Sequence, residues 1–275
     1  MRKTPLIAAA AGLALMGLGA APAQAAEADE NAMLSVLHGV PGLTVDVYVN
    51  GDLTLDDFKP GDLAGPLDLP AGTYSVAITA ADAKDDSSPA IGPVDLKLAG
   101  GGNYTAAAHL TPDGEPTATL FENDLSPVAA GEGRLVVRHV AAAPAVDVLA
   151  GGEAVVRDLA NPDEATLDLP AGTVSASVAA AGTTDPVIGP ADVDVAEGAT
   201  TIVYAWGSLE DGNLDLAVQT IEDMGSAPGG VPTGTAQVVE EGVNPGLMLG
   251  LGALLLAGLA FAGRAVSLRS VSVRK

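Results

Sequence analysis

The chain has 275 residues, a formal net charge of −23, no cysteine and three histidines. Acidity on that scale repels nucleic acid and anionic lipid, and the missing cysteine excludes disulfides, thiol nucleophiles and the cysteine-containing zinc sites. Aromatic residues make up 3% of the chain, too few for a carbohydrate-binding platform, so the core must be built from Val, Leu, Ile and Ala.

The first residues read as a secretory signal. Arg2 and Lys3 precede an uncharged apolar run from Leu6 to Ala20, and Ala23-Gln24-Ala25 is an A-x-A cleavage site. The expected signal peptide is 1–25.

Two related units of about 100 residues follow, 31–125 and 133–222, each the size of one β-sandwich. Leu67-Asp68-Leu69-Pro70-Ala71-Gly72-Thr73 returns as Leu167-Asp168-Leu169-Pro170-Ala171-Gly172-Thr173. Leu34-Ser35-Val36-Leu37-His38 matches Leu135-Val136-Val137-Arg138-His139, Val45-Asp46-Val47 matches Val146-Asp147-Val148, and Ile91-Gly92-Pro93 matches Ile188-Gly189-Pro190.

Within the units apolar residues alternate with polar ones. Val94, Leu96 and Leu98 alternate with Asp95 and Lys97; Ala191, Val193 and Val195 alternate with Asp192 and Asp194. That is the period of a strand with one buried face. Asn50-Gly51 and Gly151-Gly152 suit two-residue hairpin turns. Pro70, Gly72, Pro170 and Gly172 mark a further repeated turn. The pattern predicts an all-β chain, about seven strands per unit, arranged as two tandem immunoglobulin-like or transthyretin-like sandwiches.

Residues 126–133 form a short linker, so the units should be close neighbours. Residues 223–245, rich in Gly, Pro, Ser and Thr, read as a stalk. An uncharged apolar run at 246–263 meets the lower length limit of a transmembrane helix. The tail 264–275 carries Arg264, Arg269, Arg274 and Lys275 and no acidic residue. Positive charge stays on the cytoplasmic side, which orients the N-terminus outside and the tail inside. Val231-Pro232-Thr233-Gly234 is only a partial sortase signal, so a retained anchor is favoured.

The sharpest constellation is His38 with Asp46, echoed by His139 with Asp147. Such a pair can orient an imidazole for general-base work, but no Gly-x-Ser-x-Gly nucleophile accompanies it. The simpler reading is a buried imidazole tying a strand end to a loop. Calcium suits an acidic exported surface: Asp56 with Asp57, Asp82 with Asp85 and Asp86, and Asp211 with Asp215 are clusters, none with the full ligand pattern of an EF-hand. The sequon at Asn103 falls in a strand pattern, and Trp206, aligned with His109, reads as core.

The segment from His38 to Gly51, with Leu67 to Thr73 downstream, resembles the bacterial domain-of-unknown-function family numbered 4397. The second copy matches at His139, Pro144, Val146-Asp147-Val148 and Leu169 to Thr173, and departs at Leu149 and Val174, where the first has Tyr48 and Tyr74. The resemblance implies an exported, often duplicated β-sandwich with no catalytic activity attached. The Ala- and Gly-rich composition with a basic tail is similar to envelope proteins of high-GC Gram-positive bacteria.

The expectation is a non-enzymatic cell-surface protein, single-pass in the membrane, acting as an adhesion, interaction or structural module of the envelope. Its partners are the membrane and an envelope protein; nucleic acid, cofactors and metals are not expected. The alternatives are an exported hydrolase using the His–Asp pairs and an acidic cation-binding module.

Overall fold

The computed structural model describes residues 31–222 and the backbone of residues 272–274. The signal segment, the stalk, the apolar run 246–263 and most of the tail lie outside the described residues. Among the described residues there is no helix, so none is long and apolar enough to cross a membrane.

The first unit consists of β1 (Asn31–His38), β2 (Val45–Val49), β3 (Asp52–Phe58), β4 (Leu63–Pro70), β5 (Gly72–Ala80), β6 (Ile91–Leu98), β7 (Asn103–Leu110) and β8 (Pro116–Glu122). The second repeats them as β9 (Glu132–His139), β10 (Val146–Ala150), β11 (Glu153–Leu159), β12 (Glu164–Pro170), β13 (Gly172–Ala180), β14 (Pro186–Val195), β15 (Thr200–Trp206) and β16 (Asp215–Ile221). Each unit therefore has eight strands rather than the expected seven. Edge strands such as β4, interrupted by Gly65 and Pro66, carry no clean alternation and are hard to count from sequence.

Each unit folds into two sheets. Their orders are β4-β1-β7-β8 and β3-β2-β5-β6 in the first, and β12-β9-β15-β16 and β11-β10-β13-β14 in the second. β1 runs parallel to β7 and β9 parallel to β15, while the other pairs are antiparallel. Ser272–Arg274 forms a short β17 that pairs antiparallel with Glu164–Thr166 on the free edge of β12.

The facing sheets bury the alternating apolar residues. Leu34, Val36, Val45, Val47, Ile78, Leu96 and Leu98 fill the first core, and Leu135, Val137, Val146, Val148, Val178, Val193 and Val195 the second. The repeated Leu-Pro-Ala-Gly-Thr motif is the arch between sheets. β4 ends at Pro70 and β5 begins in the other sheet at Gly72. The repeated Ile-Gly-Pro marks a register shift between β5 and β6. Gly92 there has φ +93° and a Cβ would meet the Val76 carbonyl oxygen at 2.5 Å, so only glycine fits.

The two units do not sit as beads on a string. β1, β7, β9 and β15 are buried on both faces over most of their length. Their outward sides make a third interior that joins Leu37, Ala107 and Phe121 of the first unit to Val136, Ile202, Tyr204, Trp206 and Ala217 of the second. The β4-β1-β7-β8 sheet thus packs on the β12-β9-β15-β16 sheet, and the described residues form a stack of four sheets. Small residues permit the approach. A Cβ on Gly39 would lie 3.3 Å from the Trp206 Cβ, and one on Gly61 would lie 3.0 Å from its ring.

A polar network crosses this interior. Arg138 is 1% exposed, pairs with Glu164 at 2.9 Å and donates to the Tyr204 hydroxyl at 2.9 Å and to Asn123 Oδ1 at 2.8 Å. Its guanidinium lies 4.3 Å above the Phe121 ring. Tyr204 in turn donates to Gln219 Oε1 at 2.7 Å, and Gln219 donates to Ser35 at 3.1 Å. Burial pushes the Tyr204 phenol up, which keeps its proton available for that bond. Arg134 pins the linker by donating to the carbonyl oxygens of Asp124 and Ser126 at 3.0 and 3.1 Å.

Candidate functional site

His38 closes β1 and His139 closes β9, and both are 1% exposed. His38 donates from Nε2 to the Leu43 carbonyl at 2.7 Å and accepts at Nδ1 from the Val40 amide at 3.4 Å. His139 repeats this with the Pro144 carbonyl at 3.0 Å and the Ala141 amide at 3.4 Å. Each ring is thus a neutral brace between a strand end and its following loop. Both nitrogens are occupied by backbone, which leaves no free lone pair for proton abstraction. His109, on β7, donates from Nδ1 to the Leu110 carbonyl and accepts at Nε2 from Thr119, both at 2.9 Å.

Burial lowers the pKa of all three imidazoles below the usual histidine value. The unfolded chain takes up protons near pH 6.5, while the folded chain resists until lower pH. The stability from neutral histidines is therefore complete above about pH 6.5 and is lost as pH falls through the lowered folded values. Melting temperature should decline from pH 7 toward pH 5, and His38→Gln should flatten that decline. An unchanged slope in this variant would remove His38 from the account.

The Asp residues of the two sequence pairs lie apart from these rings. Asp46 sits on β2 opposite a bulge, where Asp56 and Asp57 of β3 stand against one residue. Its Oδ1 accepts from the Asp57 amide at 3.0 Å. Asp147 repeats this at the matching bulge of β11, accepting from the Asp158 amide at 3.0 Å. Asp57 and Asp158 adopt nearly the same left-handed φ, 53° and 54°. Neither His–Asp pair forms a hydrogen-bonded dyad; His and Asp each brace a different loop.

The two bulges differ in charge. Asp147 also accepts from the Gly182 amide at 3.0 Å and pairs with Arg157 at 3.6 Å. The Asp158 amide, then that of Gly182 and the Arg157 charge hold its carboxyl below the usual range. In the first unit the place of Arg157 is taken by Asp56. Carboxylate oxygens of Asp46, Asp56 and Asp57 lie within 4.8 Å of one another. The charges of Asp46 and Asp57 raise the Asp56 pKa.

The remaining motif residues are structural in placement. Pro70, Gly72, Pro170 and Gly172 flank the inter-sheet arches, and the Pro70 carbonyl accepts from the Tyr74 hydroxyl at 2.7 Å. Asp85 accepts from the Ser87 amide within its own loop, and Asn213 from the Ser208 amide. Asn103 lies in β7 and accepts from Asn123 at 2.7 Å. Trp206 lies in the interior between the units rather than inside one sandwich.

Sequence reasoning missed the Arg138–Glu164–Tyr204–Gln219–Asn123 network and the charge swap at the bulges. Both left traces. Arg138 aligns with Leu37, a charge where the copy has an aliphatic side chain. Leu55-Asp56-Asp57-Phe58 aligns with Val156-Arg157-Asp158-Leu159.

No curated protein matches the sequence. The family described as a domain of unknown function (DUF4397) matches it in two copies, over residues 32–149 and 140–238, and the chain belongs to that family.

Proposed function

We propose that this chain is a non-enzymatic surface module, exported through its N-terminal signal and held at the outer face of a cell membrane by residues 246–263. The two sandwiches are of the transthyretin-like kind, with the parallel β1–β7 pairing at the centre of one sheet. The observation that carries the reading is that the two repeats share one interior, so they present a single rigid acidic block. Two repeats joined through a shared interior suit adhesion to, or organisation of, an envelope protein. The buried histidines support it, since the groups a hydrolase would need are engaged in bracing loops.

On this reading Arg274 lies across the membrane from β12, and the anchored chain does not make the β12–β17 pairing. The absence of cysteine makes the test direct. Ser87→Cys, on an exposed loop, should react with a membrane-impermeant thiol reagent on intact cells. Ser272→Cys should react only after permeabilisation. Equal labelling of both in intact cells would overturn the anchored topology. Hydrolysis of an ester, peptide or glycan by the purified chain would overturn the non-enzymatic assignment.

A further inference from the structure

The bulge at Asp46 and its copy at Asp147 have the same backbone and opposite electrostatic solutions. At Asp147 the chain supplies its own cation, Arg157, at 3.6 Å. At Asp46 the equivalent position is Asp56, and three carboxylates converge. Among the described residues no Lys or Arg pairs with Asp46, Asp56 or Asp57. A second difference lies on the other side of Asp46. Its cross-strand partner on β5 is Thr79, while the partner of Asp147 is Ala179. Directly paired residues of adjacent strands point to the same face, so Thr79 projects beside the Asp46 carboxylate. Thr79 is 0% exposed and its hydroxyl has no hydrogen-bond partner. An unpaired buried hydroxyl is unfavourable; on the same face as Asp46 it is an oxygen donor available to a ligand. The second unit has neither the third carboxylate nor the hydroxyl, and it has the arginine.

We propose that the outer face of the β3-β2-β5-β6 sheet binds one calcium ion through the carboxylates of Asp46, Asp56 and Asp57 and the hydroxyl of Thr79, and that Arg157 replaces this ion in the second unit. The donors are all oxygen, as calcium requires, and their irregular arrangement around a bulge suits calcium better than the strict octahedron of magnesium. Asp56 and Asp57 are exposed, which leaves room for water to complete the shell.

The test is calorimetric titration of calcium chloride into the purified full-length chain, with magnesium chloride as control. It needs no partner and stands or falls apart from the surface-module reading. One site with a Kd of about 0.1–1 mM is expected, the range of extracellular calcium modules. Saturating calcium should raise Tm by about 3–5 °C. Asp56→Arg, which copies the second unit, should abolish the heat while leaving the Tm in chelator equal or higher. Asp46→Asn keeps the acceptor for the Asp57 amide and should weaken binding at least about tenfold. Absence of heat and of any Tm shift at about 10 mM calcium, or wild-type binding by both variants, would sink the proposal.

Discussion

Arg138→Ala will destabilise the folded chain by about 3–5 kcal/mol, the range for removing one partner of a buried ion pair. The loss is large because several groups are stranded at once. Glu164 loses its partner at a largely buried position, Asn123 Oδ1 loses its donor, and Tyr204 loses the bond it accepts. Phe121 also loses the cation above its ring. Because the network joins the two units, their unfolding should also separate. In the wild type, Trp206 fluorescence and far-UV circular dichroism should report one urea transition. In the variant the fluorescence should shift red at lower urea than the loss of sheet signal. Arg138→Met with Glu164→Leu, which removes both charges and retains volume, should recover much of the loss. Equal urea midpoints for wild type and Arg138→Ala would show that the network contributes no stability.

Trp206→Ala should cost about 3–5 kcal/mol, as expected for deleting a buried large aromatic side chain. Gly61 lies against the ring and Gly39 against its Cβ, and both backbones are held by hydrogen bonds to the carbonyls of His38 and Ala108, so neither follows the ring inward. A cavity between the units will therefore persist. The indole nitrogen has no partner there, so the stabilisation comes from packing rather than hydrogen bonding. Trp206→Phe should accordingly retain most of the stability. Urea denaturation followed by circular dichroism decides the matter. A loss below about 1 kcal/mol for the alanine variant would mean that the units re-dock around the gap.

Much of the single-unit fold was legible in the chain. Val94, Leu96 and Leu98 against Asp95 and Lys97 form a strand with one buried face because side chains alternate across a pleat. The repeated Pro-Ala-Gly was readable as a turn, but not as an arch between sheets, since a local motif does not say which partner the next strand will find. Site residues fared unevenly. The bracing role of His38 and His139 followed from their place on the apolar face of a strand. The Asp46 cluster did not, because a bulge brings Asp56 and Asp57 together against one residue, and a strict period of two places them on opposite faces.

Sequence alone determined the duplication, the all-β character, the composition of the two sandwich cores and the acidity, since these depend on residue order and local pleating. Only the tertiary structure decided that the repeats fuse through a third interior, that Arg138 and Trp206 serve that interior, and that one bulge gathers carboxylates where the other holds its own arginine. The physical reason is that docking depends on the second face of β1, β7, β9 and β15. There Ser35, Thr105 and Arg138 stand among Leu37, Val136 and Ile202, so no clean alternation marks the face until another sheet covers it.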